Sequence, residues 1–515
     1  MNKTFRGYLL FLCLLALLVD TAHAQRGKSK EKNQPPVSIG SLADASFRGF
    51  GTTGLSLAVV KDGEMIYSGG FGLKSVTDQS PMDPRAVFNI ASCSKAFTAA
   101  SIALLVERKL VNWDDKVIDY IPGFQLADPW ITAQLTLRDL LCHRSGLGTF
   151  YGDLLWYGTD YTDEEILSRL RHLPLNQQFR SEFGYQNNLY MVAGLVVKAV
   201  TGLTWEEFIQ KNFFDPLGMK DTRGSSDQLR SGDNIAFGHI QGKQQAIFDF
   251  NGAKPAASIY SSVEDLSKWI AALLEGIKGG SSVLAKESIR TLWSAHTIIP
   301  VSPNSESWGI HFRAYALGWN TFDYGGRKIV EHDDGMPGYI SKVCLVPEEN
   351  LGFVILNNGQ DFQVNDALRY KLLDHFLQKT PARDWDATFL GFRNNGALYE
   401  SGAKAQRAAS QMKGTQPSLD LKAYTGMFED PSYGTAKVEL SGKELNLTFM
   451  PTKTMFTGTL SHWHFDTFKV QFKDDFLTYG LVTFEVGPEG KVQGFRIDLP
   501  SDDFQFFELD FKPVP

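Results

Sequence analysis

Two strand-like runs, Leu55–Val60 and Glu64–Gly70, flank Lys61-Asp62-Gly63, and an Asp-Gly turn between apolar strands is a strong hairpin signal. Strands return near 328–332, 339–346 and 351–357. The stretch between, about 110–275, is mainly helical in pattern. Met191–Val200 and Trp205–Phe213 carry apolar periodicity and stop at Gly202 and Pro216. A helix is also expected from Ser92 to about Glu107, with Phe97, Ile102, Leu105 and Val106 available for a core. Strands at both ends of a helical middle predict an α/β (α+β) fold: one antiparallel sheet closed by its two ends, with a helical lobe inserted.

At 515 residues the chain is too long for one core, so roughly two or three domains are expected. The texture changes after residue 380, and residues 396–413 read as a polar helix or linker. From about 416 onward period-2 alternation repeats, as in Lys437–Leu440, Glu444–Phe449, Phe468/Val470/Phe472, Val482/Phe484/Val486 and Phe495/Ile497/Leu499. Short strands at near-regular spacing predict a β-barrel or sandwich. The expected division is 45–380 for the first domain, 381–415 for a linker and 416–515 for the all-β domain.

Lys3 and Arg6 precede an apolar run from Tyr8 to Val19, followed by Ala22-His23-Ala24. This is the layout of a secretory signal peptide over 1–24, followed by a polar leader over 25–44 that is expected to be flexible. The run falls short of the ~20 residues needed to span a bilayer, so no membrane anchor is expected after cleavage. The implied location is secreted or periplasmic. A net charge of −7 gives no basic footprint for nucleic acid. Cys93, Cys142 and Cys344 match neither a disulfide framework nor a zinc spacing, and read as buried thiols.

Chemistry concentrates in three places. Ser92-Cys93-Ser94-Lys95 opens a helix, and positions i and i+3 share a face, so the lysine amine can reach the serine hydroxyl. A lysine desolvated there can act as a proton acceptor. Alone the pattern is an ordinary helix start. Tyr185-Gln186-Asn187 precedes an apolar helix; a tyrosine near a lysine can serve as a general base, and an asparagine can orient that lysine. The third element is Glu331–Gly338 on the strand presumed to close the sheet, where His332 alone would read as a solvated strand-end histidine.

In this order, with Leu135–Leu147, Phe213–Met219 and Ala316-Leu317-Gly318-Trp319, residues 45–380 resemble the penicillin-binding-protein-like serine hydrolases related to class C β-lactamases. That group includes D-aminopeptidases, esterases and other serine peptidases. The resemblance implies Ser92 as nucleophile, Lys95 as proton relay and Tyr185 as general base and leaving-group acid. It implies Asn187 orienting Lys95 and substrate, and His332 in the cationic or polar position facing substrate. The oxyanion hole would be the N–H groups of Ser92 and Gly335. Asp334 stands where the family usually has glycine, and its carboxylate would repel anionic substrates.

The C-terminal segment, through Tyr424-Thr425-Gly426 and His462-Trp463-His464, resembles the lipocalin-like barrel appended to some of these peptidases. Such a barrel could cover the active-site mouth or form homo-oligomer contacts. His462 and His464 are expected on one strand face, but without a third ligand no metal site is expected. The implied reaction is hydrolysis of a peptide or small-molecule amide without metal or organic cofactor. Esterase or β-lactamase activity is the alternative. A catalytically silent binding protein is the other class, and the intact Ser92, Lys95, Tyr185 and Asn187 argue against it.

Overall fold

The computed structural model describes residues 38–249, 252–380 and 383–514. The expected signal peptide, and the leader up to residue 37, lie outside the described residues. The end of that leader is not flexible: a helix spans Ile39–Phe50. Ser38 caps it by accepting the Ser41 N–H, and Gly51 ends it in the left-handed conformation, φ 67°. Its Ala43, Ser46 and Phe50 are buried, and Lys371 Nζ donates to Leu42 O at 3.0 Å and Ser46 Oγ at 2.9 Å. Tertiary contact fixes a segment that local composition made look polar and free.

The hairpin forms as expected, with Gly54–Lys61 and Glu64–Gly72 joined through Asp62 (φ 55°) and Gly63 (φ 88°), the positive pair that a tight turn needs. It joins an eight-stranded antiparallel sheet in which Gly54–Lys61, second from one edge, pairs with Leu351–Asn357, from Leu55↔Asn357 to Lys61↔Leu351. Tyr339–Val346 and Arg327–Met336 follow, then Asn320–Tyr324 and the short strands Arg313–Tyr315 and Thr297–Ile298. Strands from the two ends of the domain thus lie side by side in one sheet.

Both faces of that sheet are covered, so its central strands are nearly all apolar rather than alternating. Leu55, Leu57 and Val59 pack with Val364, Leu368 and Leu372 of the Phe362–Phe376 helix. Ala58 and Val60 point the other way, towards Ile270 and Leu274 of the Val263–Lys278 helix. Each fully buried Leu or Val stabilises the sheet by about 1.5–3 kcal/mol.

The Ser94–Glu107 helix runs through the middle of the helical lobe, and its residues from Ser94 to Leu105 are all buried. Its small residues Ala96, Ala99, Ala100 and Ala103 let neighbours approach from several sides. The second predicted helix breaks early: it is α-helical over Trp205–Ile209 and π-helical over Gln210–Phe214. Pro216 lacks the N–H that would continue the ladder, and Gly218 (φ 64°) ends it.

Part of the expected linker is a 25-residue helix, Trp385–Ala409, whose start is anchored by Trp385 stacked on Tyr370 at 4.3 Å and 16°. Beyond it eight strands from Gly426 to Pro513 form a closed barrel, sealed by Phe428↔Pro513. Closure leaves no open sheet edge. The interior is aromatic, with Phe495 and Phe511 stacked at 4.7 Å and 17°. The barrel docks on the helical lobe: Tyr161 OH donates to Tyr433 O at 2.7 Å, and the Asp160 N–H donates to Pro451 O at 3.1 Å. Among the described residues no single helix is long and apolar enough to cross a membrane.

Candidate active site

The chain enters the site through the short strand Phe88–Asn89, which pairs with Tyr260–Ser261. It then turns sharply at Ala91, whose φ of 48° is costly for a residue with a Cβ. Asn89 Oδ1 holds that turn by accepting the Ala91 N–H at 2.7 Å. The turn delivers Ser92 to the floor of a cleft between lobe and sheet, just before the long helix.

Lys95 is fully buried, and its Nζ contacts Ser92 Oγ at 2.6 Å, Asn187 Oδ1 at 2.6 Å and Ala256 O at 3.1 Å. An amide oxygen and a carbonyl only accept, so two N–H groups are committed to them. The third position faces Ser92 with either a proton or a lone pair. Burial lowers the Lys95 pKa to about 8, against the pull of Asp334 and Asp153. An amine so placed can take the hydroxyl proton at near-neutral pH.

Asn187 presents its oxygen to Lys95 because its Nδ2 donates to Asp153 Oδ2 at 2.7 Å. One of the two Nδ2 N–H groups is thereby committed within the fold, and Asn187 still lines the cleft. Asp153 is buried and also accepts Trp156 Nε1–H at 3.0 Å, while burial pushes its pKa up to about 8. No motif pointed to Asp153; its role appears only when the lobe is folded. His143 was also missed. Its Nδ1 accepts the Gln186 N–H at 3.0 Å, and its ring lies 4.2 Å from that of Tyr185, so it seats the Tyr185–Asn187 segment.

The Tyr185 hydroxyl lies 3.3 Å from Asp334 Oδ2 and 3.4 Å from His332 Nε2. His332 Nδ1 faces Gly318 O at 2.7 Å, which assigns the ring proton to Nδ1 and leaves Nε2 a lone pair. These two neighbours of the phenol are then acceptors, and burial together with Asp334, opposed by a hydrogen bond with Ser92, raises the Tyr185 pKa well above its ordinary value. Tyr185 holds its proton in this arrangement.

His332 is neither solvated nor cationic. It is buried at 1% exposure, and burial with Lys95 nearby lowers its pKa to about 4. Gly318 belongs to the Ala316–Trp319 motif and has φ 77°; a Cβ there would meet Lys95 O at 2.8 Å. Only glycine lets that carbonyl reach His332 beside the lysine helix.

Asp334 points into the cleft and folds back on its own strand, so Oδ1 accepts the Gly335 N–H at 2.7 Å. Burial raises its pKa, opposed by Lys95 and by hydrogen bonds from Ser92 and Gly335. Gly335 was expected to donate to a substrate oxyanion, and here its N–H carries an internal carboxylate. On the opposite strand face Glu331 binds Arg369 Nη1 at 2.6 Å, and Lys342 pairs with Asp333 and with Asp366 at 3.0 Å. Removing one partner of such a buried pair costs about 3–5 kcal/mol, so this cluster fixes the strand that carries His332 and Asp334.

In the barrel, a bulge between His462 and His464 breaks the shared face predicted for them. His462 Nε2 contacts Phe465 O at 3.0 Å, and His464 Nδ1 accepts the Met412 N–H at 3.3 Å. Cys93, Cys142 and Cys344 are buried free thiols, and burial raises Cys93 to about 12.

A buried serine hydrogen-bonded to a lysine of lowered pKa, beside a tyrosine and at the edge of an antiparallel sheet, defines a serine hydrolase. The chain belongs to the beta-lactamase family, whose profile matches residues 43–377; a domain of unknown function (DUF3471) matches residues 410–513. It is 28% identical over 432 residues to the unguisins hydrolase ungD' of Aspergillus campestris, covering 78% of this chain and 77% of that one. Its fold is similar to that of the octameric penicillin-binding protein homologue from Pyrococcus abyssi, with TM-score 0.58 and 21% identity over 92% of this chain and 98% of the other. The D-amino acid amidase of Ochrobactrum anthropi is similar over 66% of this chain and 96% of its own, with TM-score 0.55 and 24% identity.

Proposed function

We propose that this chain is an exported amidase or peptidase that cleaves amide bonds through a Ser92 acyl-enzyme. The observation that carries the reading is the Lys95 ammonium or amine with two fixed acceptors and one free position aimed at Ser92 Oγ, 2.6 Å away. Lys95 takes the Ser92 proton as Oγ adds to the substrate carbonyl. The Ser92 and Gly335 N–H groups receive the developing oxyanion once the Asp334 carboxylate gives up its place on Gly335. Tyr185, a phenol hydrogen-bonded to Ser92, hands a proton to the leaving nitrogen and is resupplied from Lys95. Water then adds to the ester and the same groups run in reverse.

This division gives the base role to Lys95 and the acid role to Tyr185, since burial lowers the lysine pKa to about 8 and raises that of the phenol well above its ordinary value. Hydrolysis is supported by a relative named as an unguisins hydrolase, and an amide substrate by a protein of similar fold named as a D-amino acid amidase. The residues before Ala24 support a secreted or periplasmic location.

Labelling with a fluorophosphonate tests the acyl-transfer reading. The wild-type protein should label stoichiometrically and Ser92→Ala should not, with thermal stability nearly unchanged. Turnover of an amide or ester by Ser92→Ala would overturn it.

A further inference from the structure

The cleft above Ser92 is not built by the beta-lactamase-like domain alone. Phe150, Trp156 and Phe362 line it from that domain, and Phe476 and Phe504 line it from two loops of the C-terminal barrel. We infer that the barrel completes the acyl pocket of this enzyme and that the pocket takes substrates with an uncharged aromatic side chain next to the scissile carbonyl. This rests on the acyl-transfer reading above.

The barrel loops are held in place at the cleft. Asp474 Oδ1 accepts the Phe476 N–H at 2.8 Å, and the Asp474 side chain is hydrogen-bonded to Tyr157 of the helical lobe. Ser501 Oγ accepts the N–H groups of Asp503 at 3.2 Å and Phe504 at 3.1 Å. Phe504 packs on Tyr157 with ring centroids 4.3 Å apart, and lies 6.4 Å from both Trp156 and Phe476 at 60° and 81°. Those separations suit edge-to-face and tilted aromatic contacts. A substrate ring entering from the Ser92 end would continue the same cluster.

The chemistry of the pocket is divided. Ser92, Asn187 and Asp334 form the polar end, where the carbonyl reacts, and the ring faces form the rest of the wall. Among the described residues, the carboxyl groups in the lining are those of Asp153, Asp334 and Asp503. Among the described residues no lysine or arginine lines the pocket to receive an acidic side chain. Burial and Asp334 push the Asp503 pKa up to about 6, so a second carboxylate from substrate would meet the same resistance. The barrel wall also touches catalysis indirectly: Trp156, against Phe504, donates to Asp153, which orients Asn187 and through it Lys95.

The test compares p-nitrophenyl phenylacetate with p-nitrophenyl acetate in the full-length wild type and in two barrel variants. Phe476 is half-buried, so Phe476→Ala should fold; Phe504 is buried, so Phe504→Leu keeps most of its volume. In the wild type kcat/KM should favour phenylacetate by about tenfold or more, within the range that an apolar pocket gives for added carbon. Each variant should reduce that preference by about two- to tenfold, the worth of one aromatic pair, because phenylacetate loses a ring contact that acetate does not make. Equal kcat/KM for the two esters in the wild type would overturn the proposal. So would an unchanged preference in both variants, or an equal loss on both esters, which would mean that the rings hold the fold and not the substrate. Phenylacetate turnover by Ser92→Ala would instead overturn the acyl-transfer reading, so the two failures are distinguishable.

Discussion

Asp334 Oδ1 accepts the N–H of Gly335 at 2.7 Å, so the chain's own carboxylate sits on a donor that acyl transfer needs for the substrate oxyanion. A substrate must displace it. Asp334→Gly should therefore speed fluorophosphonate labelling by about tenfold, since one oxyanion-hole donor is typically worth about 10²–10³ in rate and only part is withheld. A like charge at ~4–6 Å also costs on the order of one to a few kcal/mol. The glycine variant should thus gain more on a peptide with a free C-terminal carboxylate than on its amide. Asp334→Asn separates the two effects, because it keeps an oxygen for Gly335 and loses the charge. Labelling rates and kcat/KM for the paired substrates give the check; an unchanged or slower Asp334→Gly would mean that the carboxylate leaves freely.

Lys95 sets the pH dependence. Its pKa is lowered to about 8, chiefly by burial, so the amine form that can accept the Ser92 proton grows as pH rises through that value. For an uncharged ester kcat/KM should climb on the alkaline side of neutrality and level off above about 8. Lys95→Ala should lower it by about 10²–10⁴-fold across the range and remove the climb. A profile that rises only near the ordinary lysine value of 10.5 would show that burial does not prepare the base.

Asp153 acts through Asn187. With Asp153→Ala the Asn187 amide loses its Nδ2 partner and can turn a donor towards Lys95. Misplacement of this kind costs up to about 10²-fold, so kcat should fall by about 10–100-fold with KM little changed. Asp153 also raises the Lys95 pKa, so the climb in kcat/KM should move to lower pH in the variant. Asp153→Asn, which keeps an acceptor, should recover part of kcat. A loss of stability with normal kcat would reduce Asp153 to a packing residue.

The sequence carried those parts of the site that local geometry determines. Ser92 and Lys95 were legible because a helix places i and i+3 on one face, and their contact follows from that spacing alone. The sheet was legible from the Asp62-Gly63 turn and the late apolar runs. Asp153 and His143 were not, because each orients a motif residue from elsewhere in the chain. The protonation of Tyr185 was read differently for a similar reason: it depends on Asp334 and His332, which meet the phenol only when the strand closes over the lobe. His332 was legible as a polar motif residue, but its burial was not, since a strand end gives no sign of the Gly318 carbonyl that covers it. The ring wall from the barrel lies in loops, and loops are placed by docking rather than by periodicity.

Export leaves a chemical trace. If Ala22-His23-Ala24 directs cleavage, the mature protein begins at Gln25 and is found outside the cytoplasm. N-terminal sequencing of the protein from its native host checks this. An intact Met1 in a soluble cytosolic pool would rule it out.

His332 should leave a signature in acid stability. Its pKa falls from 6.5 to about 4 on folding, because burial and Lys95 penalise the charged ring. Between those two values the unfolded chain binds the extra proton, so stability falls as pH drops through that window and is unaffected above it. At 1.36 kcal/mol per pH unit, the full window is worth about 3 kcal/mol. His143, whose pKa is also lowered by burial, adds its own share and remains in any variant of His332. His332→Asn can still donate to Gly318 O but cannot become charged. It should cost some stability at pH 7 and flatten the loss between pH 6.5 and 4. Urea unfolding midpoints of both proteins at several pH values across that range give the comparison. Parallel curves would mean that His332 is as easily protonated in the folded protein as in the unfolded chain.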